Sequence, residues 1–203
     1  NGDLQGDWGL RFMRSDDMGR TWTTLLDLVK HGDPQHGLAE IGISANGAGR
    51  VAVAFREEWE RKDSYVMASS DGGASWTTPV RLDRGDASEI TASTRASVAV
   101  DASGIIYAVF LQDRGQGPQI WFTRSTDGGV TFDTERNFDS VLPPGERMNS
   151  NGPALAVASD GSVLAAFFDR FATGRLYGVR STDNGVTFTK TFQADLVSRV
   201  PTV

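Results

Sequence analysis

Arginine, carboxylate and aromatic side chains gather in a few short segments of this 203-residue chain. Arg56-Glu57-Glu58-Trp59-Glu60-Arg61-Lys62-Asp63 is one, and Gln112-Asp113-Arg114-Gly115-Gln116-Gly117-Pro118 is another. A third is Asp169-Arg170-Phe171-Ala172-Thr173-Gly174-Arg175. Stretches 31–36, 84–95 and 143–151 are also polar or charged and add Arg95 and Arg147. Guanidinium groups grip carboxylates two hydrogen bonds at a time. An exposed indole such as Trp59 offers an apolar face to a sugar ring or a protein surface. The candidate ligand-binding residues are therefore Arg56, Trp59, Arg95, Asp113, Arg114, Arg147, Asp169 and Arg170. They suit a polar pocket for a sugar or another anionic group, and the same composition also suits a solvated loop rim. Arg84-Gly85-Asp86 is too short a pattern to weigh. His31, Asp33 and His36 lie among Gly and Pro without helical spacing, so they read as loop, and no metal or cofactor is expected.

The segments between these are repetitive. Ser15-Asp16-Asp17-Met18-Gly19-Arg20-Thr21-Trp22 is matched by Ser69 to Trp76, Ser125 to Phe132 and Ser181 to Phe188. All four read Ser-x-Asp-x-Gly-x-Ser/Thr-Trp/Phe. Successive copies begin 54, 56 and 56 residues apart (69 − 15, 125 − 69, 181 − 125). Such a period means stacked copies of one supersecondary unit. Within the motif, Ser15, Asp17, Ser69, Asp71, Ser125, Asp127, Ser181 and Asp183 can bond nearby backbone and fix a turn. Gly19, Gly73, Gly129 and Gly185 permit a positive φ, and Trp22, Trp76, Phe132 and Phe188 carry an apolar body to pack beneath. Short β-like runs flank each copy, so the motif is a hairpin turn within a sheet.

At these residues the chain resembles the Asp-box, or BNR, repeat family best known from sialidases. The resemblance covers the whole chain and implies an all-β fold, a β-propeller of four-stranded antiparallel blades. It places the box at the turn between strands 3 and 4, away from the active-site face, so the box aspartates are expected to be structural. Aligning the boxes gives a partial blade at 1–30, blades at about 38–82, 95–138 and 152–194, and the start of another at 199–203. About three and a half blades suggest part of a larger propeller, six-bladed in sialidase-like proteins. The remaining blades would come from the same parent chain or from another copy. Strand 2 of each blade, Val51–Phe55, Ile105–Phe110 and Val163–Phe168, is a continuous apolar run expected to be buried on both faces. Tyr65, Trp121 and Tyr177 recur four positions before a box and read as packing aromatics; Tyr107 reads as core. Arg14, Arg124 and Arg180 recur one position before a box and are expected to pair with box carboxylates.

The resemblance implies two functions. One is a glycan- or protein-binding or scaffold module on a secreted, periplasmic or cell-surface protein. The other is part of an exo-acting sialidase, which needs three convergent Arg, an acid/base Asp and a Tyr nucleophile with a Glu partner. No Arg-Ile-Pro-like segment precedes the first box, and no complete catalytic set is visible in these residues. A formal charge of −6 without a basic run argues against nucleic acid. The absence of Cys excludes disulfides and thiolate metal sites, and no apolar run is long enough to span a bilayer.

Overall fold

A computed structural model describes residues 8–31, 37–58, 62–83, 93–115, 117–142, 150–169 and 175–195. The sequence segments 59–61, 84–92, 143–149 and 199–203, with Trp59, Arg147 and Arg170, lie outside them. Strands β1 (Trp8–Phe12) and β2 (Leu26–His31) form an antiparallel pair. Three four-stranded antiparallel sheets follow in chain order. The first holds β3 (Leu38–Ala45), β4 (Val51–Glu57), β5 (Ser64–Ser69) and β6 (Val80–Arg81). The second holds β7 (Ser93–Val100), β8 (Ile106–Asp113), β9 (Pro118–Ser125) and β10 (Arg136–Asn137). The third holds β11 (Ser150–Val157), β12 (Val163–Asp169), β13 (Arg175–Ser181) and β14 (Thr189–Asp195). Each strand pairs with its sequence neighbours, as short connections favour. β10 is short because the chain leaves the sheet in a 3-10 turn, Phe138–Val141, that carries Phe138 into the core.

The blades pack face to face. Ala52, Ala54 and Val66 of the first full sheet meet Ala96, Val98, Ile106 and Phe110 of the second. Tyr107, Val109 and Phe122 on the other side of that second sheet meet Val163, Phe167 and Tyr177 of the third. Strands β4 and β8 are thus buried on both faces from Val51 to Phe55 and from Ile106 to Phe110. The third sheet departs from the expectation. In β12 the odd positions Val163, Ala165 and Phe167 are buried, while Leu164 is exposed and Ala166 and Phe168 are half-buried. The reason is that among the described residues no sheet covers that second face.

All four box turns have the same internal bonds. The Ser hydroxyl donates to the box carboxylate at 2.6–2.8 Å and accepts the Gly N–H at 2.7–2.9 Å. The carboxylate's other partners are the closing Ser/Thr N–H at 2.8–3.0 Å and its hydroxyl at 2.5–2.6 Å. These bonds favour the charged carboxylate. The Thr21 and Thr131 hydroxyls foremost hold Asp17 and Asp127 down at about 2. Asp71 and Asp183 are depressed further, led by the Ser75 and Ser181 hydroxyls.

With the Asp at the third box position met by its own turn in every copy, Arg124 and Arg180 pair outside the box, contrary to expectation, while Arg14 pairs with Asp16, a carboxylate of its own box. Arg14 binds Asp16 and donates to the Gly72 carbonyl of the next box at 2.6 Å. Arg124 binds Asp133 at 2.9 Å and donates to the Asn184 carbonyl, again in the next box. Arg180 binds Asp160 at 2.8 Å. Two of the three therefore tie one blade to its neighbour.

Candidate functional site

The box turns and the strand 1–2 turns lie at one end of the blades, and the described ends of the strand 2–3 and 4–1 connections lie at the other. There each innermost strand carries a β-bulge at the same place. The register slips between Ala39 and Gly42 in β3, between Thr94 and Ser97 in β7, and between Asn151 and Ala154 in β11. The first extra residue has a left-handed backbone each time: Glu40 at φ +54°, Arg95 at +55° and Gly152 at +58°. Glycine adopts this conformation freely. Glu and Arg do so at a cost, and such strain concentrates where a side chain must be aimed.

The bulges link blade to blade through side chains. Arg56, at the end of β4, has its Nε 3.2 Å from Glu40 Oε2 and also bonds Glu58. Glu40 Oε2 in turn accepts the backbone N–H of Arg95. The Arg95 guanidinium reaches Asn151 in the third sheet and bonds its side-chain oxygen. That oxygen also accepts the Gly152 N–H at 2.8 Å. A polar chain, Glu58–Arg56–Glu40–Arg95–Asn151, therefore runs across three blades. Its two arginines differ. The Arg56 side chain is only 12% exposed and lies between two carboxylates. Arg95 is exposed, and among the described residues its guanidinium meets an amide oxygen and no carboxylate.

The remaining sequence candidates sit apart from this chain. Asp113 accepts the Gly115 and Gly117 N–H groups at 2.9 and 3.0 Å and closes the strand 2–3 loop of its own blade. Arg114 lies flat on Trp121, its Cζ 3.5 Å from the ring centroid, and donates to Gln112 at 2.8 Å. Asp169 ends β12, beside Ser150 of β11. Sequence reading missed Glu40 and Asn151. Each has a neutral or acidic side chain in an unremarkable run, and only the repeated bulge marks the place.

A second polar cluster was also missed. Arg81 Nε lies 2.8 Å from Asp83 and 3.0 Å from Asp63. Both carboxylates are buried, and each keeps one oxygen without a hydrogen-bond donor. Burial above all, then the neighbouring Asp63 charge, raises the Asp83 carboxyl well above the usual range, against the pull of Arg81. Beside them, Tyr65 hydrogen-bonds Glu57, and burial together with the Glu57 and Asp63 charges pushes its phenol up to about 12. Among the described residues no group of three or more His, Cys, Asp or Glu is placed to hold a metal ion. None of their helices is long and apolar enough to cross a membrane.

Residues 48–200 match the model of the BNR repeat-like domain. The chain belongs to the BNR repeat-like domain family. Its fold is that of sialidase-type β-propellers. It superposes on Hadza microbial sialidase Hz136 with TM-score 0.60 at 18% identity, over 77% of this chain and 37% of that one. A protein of unknown function from Dyadobacter fermentans gives TM-score 0.62 at 20% identity, over 96% of this chain and 60% of that one. An ulvan lyase of polysaccharide lyase family PL25 gives TM-score 0.59 at 16% identity, over 92% and 51%. This BNR chain thus spans between about a third and three fifths of the length of these structures. No curated protein matches it by sequence.

Proposed function

We propose that this BNR chain is a glycan-binding part of a secreted, periplasmic or cell-surface propeller, with Arg95 as the anchor for an acidic sugar. The observation that carries this reading is the exposed Arg95 guanidinium, aimed by a left-handed bulge and unmatched by a described carboxylate. Arg56 and Glu40 act as struts that hold the bulge in place. Two similar folds support the ligand class. One is a Trypanosoma rangeli sialidase in complex with the inhibitor DANA; the other is the ulvan lyase bound to -[GlcA(1-4)Rha3S]-.

The alternative is part of an exo-acting glycosidase whose remaining residues lie outside this chain. The Tyr65–Glu57 hydrogen bond favours it, as a phenol beside a carboxylate. The electrostatics oppose it. A nucleophile is activated by a lowered pKa, and the surroundings of Tyr65 raise it.

The test is calorimetric titration with 3′-sialyllactose and, in parallel, neutral lactose. The acidic sugar should bind and lactose should not. Arg95→Ala should weaken binding about tenfold or more, the range for losing a charge-assisted hydrogen bond. Equal binding of the two sugars, or no effect of Arg95→Ala, would remove Arg95 as the anchor. Turnover of the sialoside would replace binding by catalysis.

A further inference from the structure

Asn151, near the start of β11, is buried at 7% exposure, and the described contacts of its side chain both fall on the oxygen. Oδ1 accepts the Arg95 guanidinium from the second full sheet and the Gly152 N–H at 2.8 Å. An amide oxygen has two lone pairs, so these two donors fill it and fix which end of the amide is which. Nδ2 then keeps its two N–H donors, and among the described residues no acceptor meets them. A sheltered donor without an acceptor is costly, so a ligand that supplies the acceptor gains from it.

That donor stands beside the guanidinium, because nitrogen and oxygen share one carbon and Arg95 is bonded to the oxygen. The surrounding bulges leave the two groups together. Glu40 holds the backbone N–H of Arg95, not its guanidinium. Glu40 and Arg95 are the left-handed residues of their bulges, whereas the third bulge has Gly152 there and adds no side chain next to Asn151. Arg95 and Asn151 thus form a charged donor and a neutral donor side by side.

We propose that Asn151 is a specificity residue for the acid held by Arg95, its Nδ2 donating to an oxygen on the carbon that bears the carboxylate. This inference rests on the reading of Arg95 as the anchor. It divides carboxylates by class. In uronic and sialic acids the carbon next to the carboxylate also carries the ring oxygen, an acceptor that matches Asn151. At a peptide C-terminus that carbon carries an N–H, and donor would face donor. The pair therefore selects ring-oxygen acids over the carboxylates of peptides.

The experiment is a ligand-observed NMR titration of the wild-type chain with tetrahydropyran-2-carboxylate and with cyclohexanecarboxylate, which has a CH₂ group in place of the ring oxygen. The first acid should bind about fivefold or more tightly than the second, the range for one neutral hydrogen bond. Asn151→Ala should bring the two acids to equal affinity, whereas a purely supporting role for Asn151 would weaken both and keep their ratio. Arg95→Ala should weaken both acids about tenfold or more. Equal binding of the two acids by the wild-type chain, lost in Arg95→Ala, overturns the role of Asn151 and leaves the anchor standing. A preference that survives Asn151→Ala also overturns it. Binding of neither acid removes anchor and selection together. If Asn151→Ala fails to fold, Asn151→Asp, which keeps the oxygen and lacks the donor, must lose the preference for the inference to stand.

Discussion

The first and second box turns have the same internal hydrogen bonds and different surroundings. Gly73 lies against the neighbouring blade: a Cβ there would stand 2.3 Å from the Phe12 ring. Trp76 meets the same Phe12 edge-on, centroids 5.0 Å apart. At the first turn a Cβ on Gly19 would meet nothing within 4 Å, and Trp22 is 59% exposed. The third and fourth turns follow the second, with Gly129 against Ala68 and Gly185 against Phe122. The box is thus two devices in one motif. Its Ser and Asp fold the turn locally, while its Gly and aromatic residue seal the turn to the preceding blade.

The sharpest way to break this comparison is at the glycines. Gly73→Ala imposes both a positive φ and a clash with Phe12 and should cost about 2–4 kcal/mol. Gly19→Ala carries the φ penalty alone, about 1 kcal/mol. Urea unfolding of both variants checks the difference, and equal losses would mean the seam contact adds nothing.

The aromatic pair should show a smaller gap. Trp76→Ala removes a half-buried ring and its Phe12 contact, for about 2 kcal/mol, whereas Trp22→Ala should change stability by less than about 0.5 kcal/mol. The same unfolding measurement applies, with quenching of Trp fluorescence reporting which indole is sheltered.

The aspartates sharpen the comparison from the other side, because their bonds are local. Asp71→Ala and Asp17→Ala should lower the thermal midpoint by similar amounts and leave any ligand affinity unchanged. A midpoint that moves for only one of them would tie the turn itself to the seam. Their pH dependence has a definite sign. A carboxyl held at about 2, as in Asp17 and Asp127, contributes stability that is complete above its unfolded value of about 3.9. That contribution is lost as pH falls through about 2. Asp83 has the opposite sign: its folded pKa is raised, so its contribution declines as pH climbs above the ordinary carboxylate range. Thermal midpoints followed across pH should therefore lose their acid-side slope in box variants and their upper slope in Asp83→Asn.

Much of this architecture was legible in the residues. The box spacing placed every strand 3–4 turn, and the apolar runs marked β4 and β8 as the buried middle strands. The arginine partners were not legible. A guanidinium beside a carboxylate in sequence suggests a pair, but Asp71 and its equivalents are already filled by their own turns, and Arg14, besides pairing with Asp16, reaches across the seam. The candidate site was legible only as composition. Arg56 and Arg95 look alike as letters, yet one lies between two acids and the other stands on a strained bulge.

By itself the sequence determined the turn chemistry, the number of boxes and the antiparallel, bladed class. Those follow from bonds within about eight residues and from side-chain alternation along a strand, both of which repeat whenever the letters repeat. Tertiary structure decided which glycine faces a neighbour and which arginine, among the described residues, meets no carboxylate. Those outcomes depend on residues some 50 to 60 positions apart being brought within contact distance, as in Arg14 with Gly72 and Arg95 with Asn151. Local letters do not encode the blade that will lie beside them.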